Sequence, residues 1–253
     1  MIIVMMFGLA AIPVAAVADE DDAALSPCSD FLQTADPEDP DSPCTVEARR
    51  VLAQLTLERS RDADVTTLQF PRAVIRYGAS RSVEVRLGVP SVVRRFGDDV
   101  ENHSADLLVG LKASSSRGRG VAGLALDTTV PTGDLGARLP TWRATLSGAY
   151  AVDKRVNIVG AIAAFRGANE DDPTAGRRIV LAPALGVEFE PIDGTELELG
   201  ITRENTVAGT AHEVEVSVQH RIGRSIALRF GALRRLTPAG RSSTIGVGLN
   251  ALL

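Results

Sequence analysis

The sequence predicts an all-β fold: a closed, antiparallel, up-and-down transmembrane β-barrel of about twelve strands. Three observations point to it. Polar and apolar residues alternate through most of the chain beyond residue 50, the period that places neighbours on opposite faces of a sheet. The alternating runs reach the roughly 9–11 residues that cross a bilayer at a tilt. An apolar segment resembling an export signal precedes them all.

That segment, residues 1–18, is uncharged and ends Ala16-Val17-Ala18 before Asp19. A small-x-small site after an apolar run reads as a secretory signal peptide. Pro13 would kink a spanning helix. No later stretch approaches 18 uncharged apolar residues, which excludes a helical membrane protein.

Residues 19–50 form an acidic, Pro-rich leader, expected in the periplasm. Nine of the 32 acids lie within 19–44, where there is no Lys or Arg, so the remainder carries 23 acids against 27 bases. The overall −5 therefore conceals a mildly basic body. Cys28 and Cys44 are the only cysteines, each following a proline. In an oxidising compartment two cysteines in one loop are expected to pair. No His or further Cys stands near them for a metal site.

The barrel is placed at 51–253. Thr45–Leu57 reads equally as a short helix or a strand, so the count is twelve or eleven. Strands are predicted at Val65–Tyr77, Ser82–Val92, Ser104–Ala113, Val121–Val130, Arg143–Val152 and Arg155–Arg166. Arg178–Glu190, Thr195–Arg203, His212–Ile222, Ser225–Leu236 and Ser243–Leu253 follow. Short turns at 78–81, 153–154, 191–194 and 223–224 alternate with longer loops at 93–103, 131–142, 167–177 and 204–211, as in barrels whose two rims differ.

Each run has one aliphatic face, such as Val83/Val85/Leu87/Val89 or Val214/Val216/Val218, and one charged face. A soluble periplasmic barrel or sandwich would turn the aliphatics inward. A membrane barrel turns them to lipid and lines its lumen with charge. Export and strand length favour the second arrangement; seven Phe, two Tyr and one Trp are few for aromatic girdles. The lumen residues are then Arg72, Arg76, Glu84, Arg86 and Lys112 on one side. Glu196, Glu198, Glu213, Glu215, Gln219, Arg221 and Arg229 lie on adjacent strands on the other. Arg72, Arg76 and Arg86 with Glu84 would form one cluster, and Glu196, Glu198, Glu213, Glu215, Arg221 and Arg229 another.

The segment Leu68–Gly88, with Arg76-Tyr-Gly78 and Glu84-Val-Arg-Leu-Gly88, resembles outer-membrane transporters grouped as the meta-pathway phenol-degradation family. Ala105-Asp-Leu-Leu-Val-Gly-Leu-Lys112 and Leu126-Asp-Thr-Thr-Val-Pro-Thr-Gly133 are similar to two further motifs of that family. The chain departs from it at Ala105, where the family prefers Gly, and in ending on Leu253 rather than an aromatic residue. The resemblance implies a barrel of about a dozen strands in the outer membrane that passes or binds small hydrophobic or aromatic compounds.

Catalysis needs a Ser activated by a His and an orienting third group. His103, His212 and His220 stand at no recognisable spacing from such a Ser, and a lipid-modifying barrel enzyme is the weaker alternative. Arg117-Gly-Arg-Gly120 lies in a turn rather than before a helix, so it is no phosphate loop and nucleic acid is not an expected partner. Asp98-Asp99 and Glu170-Asp171-Asp172 read as solvated loop acids rather than cation sites. The sequence thus points to a non-enzymatic barrel without cofactor or metal. Its expected partners are outer-membrane lipid, the outer-membrane assembly machinery and a small solute.

Overall fold

The computed structural model describes residues 26–28, 31–34, 42–97, 99–134, 141–166, 179–206, 209–238 and 240–253. The signal segment, most of the acidic leader, Asp98 and the Glu170–Asp172 acids lie outside them.

Fourteen strands follow in order: β1 (Val51–Asp62), β2 (Val65–Gly78), β3 (Val83–Val89), β4 (Val92–Phe96), β5 (Val100–Ser104), β6 (Leu107–Arg117) and β7 (Gly120–Val130). Then come β8 (Thr141–Ala151), β9 (Val156–Arg166), β10 (Ile179–Ile192), β11 (Thr195–Thr206), β12 (Gly209–Ile222), β13 (Ile226–Thr237) and β14 (Gly240–Leu252). All pair antiparallel. β1 bonds to β14 on one side and β2 on the other, closing a twelve-strand barrel, while β4 and β5 form an additional hairpin. Closure gives the backbone polar groups of the wall a partner without water, which is what permits a sheet to stand in lipid.

Residues 51–59 are therefore strand, which settles the count at twelve. The alternation that also fitted a helix is satisfied by pairing with β14 from Leu52 to Asp62. Two predicted loops are strand as well. In 93–103, β4 and β5 pair from Phe96↔Val100 to Val92↔Ser104, continuing β3 and β6 past Pro90. In 204–211, β11 and β12 run on to the Thr206↔Gly209 pair. Polar sequence suggested loops there, but beyond the lipid a strand meets water on both faces and needs no apolar alternation.

The two rims differ. Turns at 79–82, 118–119, 152–155, 193–194 and 223–225 close one rim, which also carries the start of β1 and the end of β14. Gly194, at φ +79°, supplies the left-handed residue of the tight Asp193-Gly194 turn. The longer connections 131–140 and 167–178 and the β4–β5 hairpin belong to the opposite rim. Short turns mark the periplasmic side of such barrels, and longer loops the outside.

The exterior is apolar. Leu146, Ile162, Val216 and Phe230 are each more than half exposed to the surroundings, and such a continuous aliphatic surface is stable only against lipid. Tyr77, Tyr150 and Phe189 lie toward the short-turn rim, and Trp142 and Phe96 toward the other. The interior holds the polar positions: Gln54, Thr56, Arg76, Glu84, Arg86, Lys112, Asp127, Thr145, Ser147, Asn157, Gln219, Arg229 and Asn250 are all buried.

The leader is not simply a periplasmic tail. Cys28 and Cys44 form a disulfide, and the segments it joins pack inside the barrel. Pro27, Leu32, Pro43, Cys44 and Val46 are fully buried. They contact inward faces of strands far apart around the ring: β2, β3, β7 and β12. A short loop with too few apolar residues for its own core gains one by borrowing the lumen. Val46 completes this packing against Leu52 and Leu252 at the closing seam.

Candidate functional site

The lumen wall brings the predicted charged residues together in two regions, and leader segments contact both walls.

On the β2–β3–β6–β7 wall, Glu84 is the centre. Arg76 holds it with two parallel bonds, Nε to Oε1 at 2.8 Å and Nη2 to Oε2 at 2.9 Å. Arg86 Nε donates to Oε1 at 2.7 Å, and Arg86 Nη1 lies 3.7 Å from Asp127 Oδ2. Lys112 stands opposite Glu84 in the β3–β6 register and is fully buried. Gly110 makes room for this cluster: a Cβ there would collide with Asp127 Oδ1. Three cations thus meet two carboxylates, and the excess positive charge finds acceptors in the leader. Arg76 donates to the carbonyls of Thr34 at 2.6 Å and Cys44 at 3.3 Å, while the Val46 amide donates to Glu84 Oε2 at 2.8 Å. The cluster is a socket for leader backbone. Arg72 does not join it; Arg72 pairs with Glu58 at 2.6 Å, nearer the outer rim.

On the β10–β13 wall, Arg229 bridges Glu215 at 2.9 Å and Glu198 at 3.3 Å, and the Ser217 hydroxyl donates to Glu198 at 3.1 Å. Arg235 forms a second fork, on Glu213 at 2.8 Å and Glu204 at 2.7 Å. Glu188 accepts from Asn157 at 3.0 Å. Four carboxylates therefore share two guanidiniums and Glu188 adds a fifth, so among the described residues acids outnumber bases on this wall. Gln219 serves the leader instead, donating to the Leu32 carbonyl at 2.9 Å. Glu196 lies beside Gln219 in register, and Arg221 lies against Gly194 at the periplasmic turn, away from the Arg229 fork. Asp127 joins the first cluster from the charged face of β7, and Arg235, Glu204 and Glu58, which are not among the lumen residues predicted from the sequence, complete the pairs. Asp127 and Glu58 share the inward parity of their strands, a signal already present in the alternation. Glu204 sits in the extended end of β11, where strand was not expected, whereas Arg235 lies within the predicted Ser225–Leu236 run and shares the inward parity of Arg229.

A cavity of about 100 Å³ opens beside the first fork, lined in part by Val159, Ala161, Gly200, Glu215, Arg229 and Leu233. Small apolar side chains thus border paired charges. At Gly200 the nearest atom to an added Cβ is Glu215 Cβ at 4.0 Å, so the space is open there.

The three motif segments meet in this framework. The first supplies Arg76, Glu84 and Arg86, the second Gly110 and Lys112. The third folds back at the outer rim, where Asp106 Oδ1 accepts the amides of Gly133 at 2.9 Å and Thr132 at 3.1 Å.

The histidines are scattered. His103 lies on β5, not in a loop, and contacts Glu101 at 3.2 Å and Asp134 at 3.9 Å. The Ser104 hydroxyl donates to Asp134, not to the imidazole. His220 faces outward and meets the Thr195 hydroxyl at 2.8 Å. No group of three or more His, Cys, Asp or Glu suited to a metal occurs among the described residues.

Fold and lumen together define an outer-membrane-type β-barrel with an internal N-terminal segment. No known family model and no curated protein matches the sequence. Among solved structures, it is similar to the COG4313 outer membrane channel from Pseudomonas putida F1, at 12% identity and a TM-score of 0.68, covering 85% of this chain and 99% of that one. It is also similar to the NanC porin, at 8% identity and 0.57, covering 79% and 98%. The KdgM porin in complex with disordered oligogalacturonate follows at 8% and 0.53, covering 78% and 98%. These likenesses show the fold.

Proposed function

We propose that the chain is an outer-membrane channel that passively passes or binds small molecules, with its leader forming a built-in constriction. The observation that carries this is the inverted barrel: aliphatics outside, and an ion-paired polar wall surrounding a cavity inside. Channels and porins share the fold. The motifs at 68–88, 105–112 and 126–133 support the finer reading as a transporter of the meta-pathway phenol-degradation type. Under it, a small aromatic solute rests on Val159 and Ala161 and turns its polar group toward Glu215 and Arg229. Delivery to the outer membrane by the assembly machinery belongs to the same proposal.

The test is conductance of the refolded full chain in planar bilayers, paired with liposome swelling in small phenols and in sugars of similar size. Step-like currents and faster phenol entry are expected. A sealed barrel that neither conducts nor binds phenols overturns the proposal.

A further inference from the structure

The outer surface is not uniformly apolar. Six arginines project from it near the outer rim: Arg59 and Arg61 on β1, Arg94 on β4, Arg203 on β11, Arg234 on β13 and Arg241 on β14. All six are exposed. Their outward direction follows from parity. Leu55 and Leu57 are exposed below Arg59, whereas the alternate residues Gln54 and Thr56 are buried in the lumen. The same holds on β14, where Ile245, Val247 and Leu249 lie on the same exposed face as Arg241.

Register brings them into one patch. Ser243 lies opposite Arg61 on one side and Arg234 on the other, so those two are about 10 Å apart across two strand spacings. Arg234 donates to the Ser243 hydroxyl, and Arg241 stands two residues further out on the same strand. Arg59 pairs with Leu68, which pairs with Arg94, and Arg94 stacks on Phe96 with its guanidinium carbon 5.1 Å from the ring centroid. Arg203 extends the patch on the far side through its pairing with His212.

Two features separate this patch from an ordinary solvated rim. Among the described residues, the outer face of β1, β4 and β11–β14 carries no carboxylate: every acid on these strands has lumen parity, as Glu58, Glu204 and Glu213 illustrate. Across the barrel, the outer ends of β6, β7, β8 and β10 present Leu107, Val130, Trp142 and Ile179 instead. Among the described side chains, guanidiniums at the outer rim therefore collect on one wall, above a continuous aliphatic surface.

We propose that this wall binds a phosphorylated glycolipid of the outer leaflet, of the lipopolysaccharide class. The ligand needs acyl chains to cover Leu57, Val247 and Phe230 and anionic groups at the height of the arginines. Phosphate fits planar, bidentate guanidinium donors. The longer-loop rim faces outward, the side where such glycolipids reside. The proposal rests on the barrel standing in the outer membrane and not on what its lumen carries.

The test is a titration of the folded, full-length barrel in detergent with diphosphorylated lipid A, followed by native mass spectrometry. Dephosphorylated lipid A and phosphatidylglycerol are titrated in parallel. Tight, stoichiometric binding of the diphosphorylated form alone is expected. Combining Arg61→Gln, Arg234→Gln and Arg241→Gln weakens it about a hundredfold, at about fivefold per charge removed. The matched Lys replacements stay within about tenfold of the unmodified chain, because charge is kept and only the fork is lost. Removing Arg81, Arg117 and Arg224 at the periplasmic rim leaves affinity unchanged. Heat-modifiable migration confirms that each variant is folded; if the triple variant fails this check, Arg241→Gln alone is read for its fivefold loss. Equal binding of phosphatidylglycerol or of the dephosphorylated glycolipid overturns the proposal, as does wild-type affinity in the glutamine variant.

Discussion

Arg76 and Glu84 face each other through two hydrogen bonds of 2.8 and 2.9 Å, both side chains removed from water. The pair connects barrel and leader, because the same guanidinium donates to Thr34 and Cys44 carbonyls and the same carboxylate accepts the Val46 amide. Removing one partner of a buried ion pair leaves the other charge uncompensated, at about 3–5 kcal/mol. Glu84→Gln leaves Arg76, Arg86 and Lys112 against Asp127 alone. Denaturant unfolding is expected to show that loss, and leader cleavage by added protease should rise. Unchanged leader protection in the folded variant would contradict the socket.

Gly123 tests the leader's position without touching charge. A Cβ there would lie 2.9 Å from Pro43 Cα and 3.0 Å from its carbonyl oxygen. Backbone cannot swing aside as a long side chain can, so Gly123→Val displaces the leader while suiting the strand. Single-channel conductance is expected to rise above that of the unmodified chain. Gly200→Val is the opposite case, filling open cavity beside Glu215, and should lower conductance.

The disulfide spans 16 residues, a loop whose closure removes about 3 kcal/mol of chain entropy. Replacing Cys28 and Cys44 by Ser therefore leaves the barrel closed but loosens the leader. Heat-modifiable migration should persist, and current fluctuations attributable to the leader should increase. Identical current noise in the two proteins would mean that the lumen contacts alone hold it.

Much of this architecture was legible in the sequence, for a physical reason. Faces of a strand alternate strictly, so the residue numbers of Arg76, Glu84, Arg86, Glu198, Glu215 and Arg229 suffice to assign them to one side. The cysteine pairing followed from the loop that contains both. The leader's entry into the lumen was not legible. Its contacts run through the carbonyls of Leu32, Thr34 and Cys44, and a backbone carbonyl is the same in every residue. The β4–β5 hairpin was hidden differently: outside lipid, Glu101 and Asn102 can occupy a strand at no desolvation cost, so polarity there says nothing about pairing. Which arginine meets which acid was also beyond parity. Arg72 and Glu58 pair across a register shift between Thr56 and Glu58 that alternation alone does not reveal.

Arg229 decides the charge of the acidic wall. It is ion-paired with Glu198 and Glu215 together, and Arg229→Gln removes one positive charge from the lumen field beside them. Charge rings and walls of one sign set ion preference in pores. Reversal potentials under a salt gradient are expected to shift toward cations, with the shift shrinking at high salt as screening grows. Charge-conserving Arg229→Lys should keep most of the original preference. A reversal potential unmoved by the glutamine substitution would place the conducting path away from this wall.

Asp134 provides a pH-dependent contact outside the membrane-spanning strands. The Ser104 backbone amide donates to its carboxylate, and the Ser104 hydroxyl adds a bond at 3.1 Å. These bonds favour the charged form and hold the carboxyl below its ordinary value, with His103 contributing in the same direction. A lowered folded value means that the contact is complete above the ordinary aspartate range near about 4 and is lost only as pH falls through the lowered value. The amide resonance of Ser104 should therefore titrate with a midpoint below that range, and Asp134→Asn should abolish the titration. The segment from Pro131 would then keep its ties to Asp106 through the Thr132 and Gly133 amides, to the Leu107 amide through the Thr132 hydroxyl, and to Ser104 through the backbone amide of residue 134. Protease sensitivity of residues 131–134 in Asp134→Asn at neutral pH should match that of the unmodified chain in acid. A midpoint at or above the ordinary value would remove the Asp134 carboxylate as an anchor and leave the segment's position to its remaining contacts.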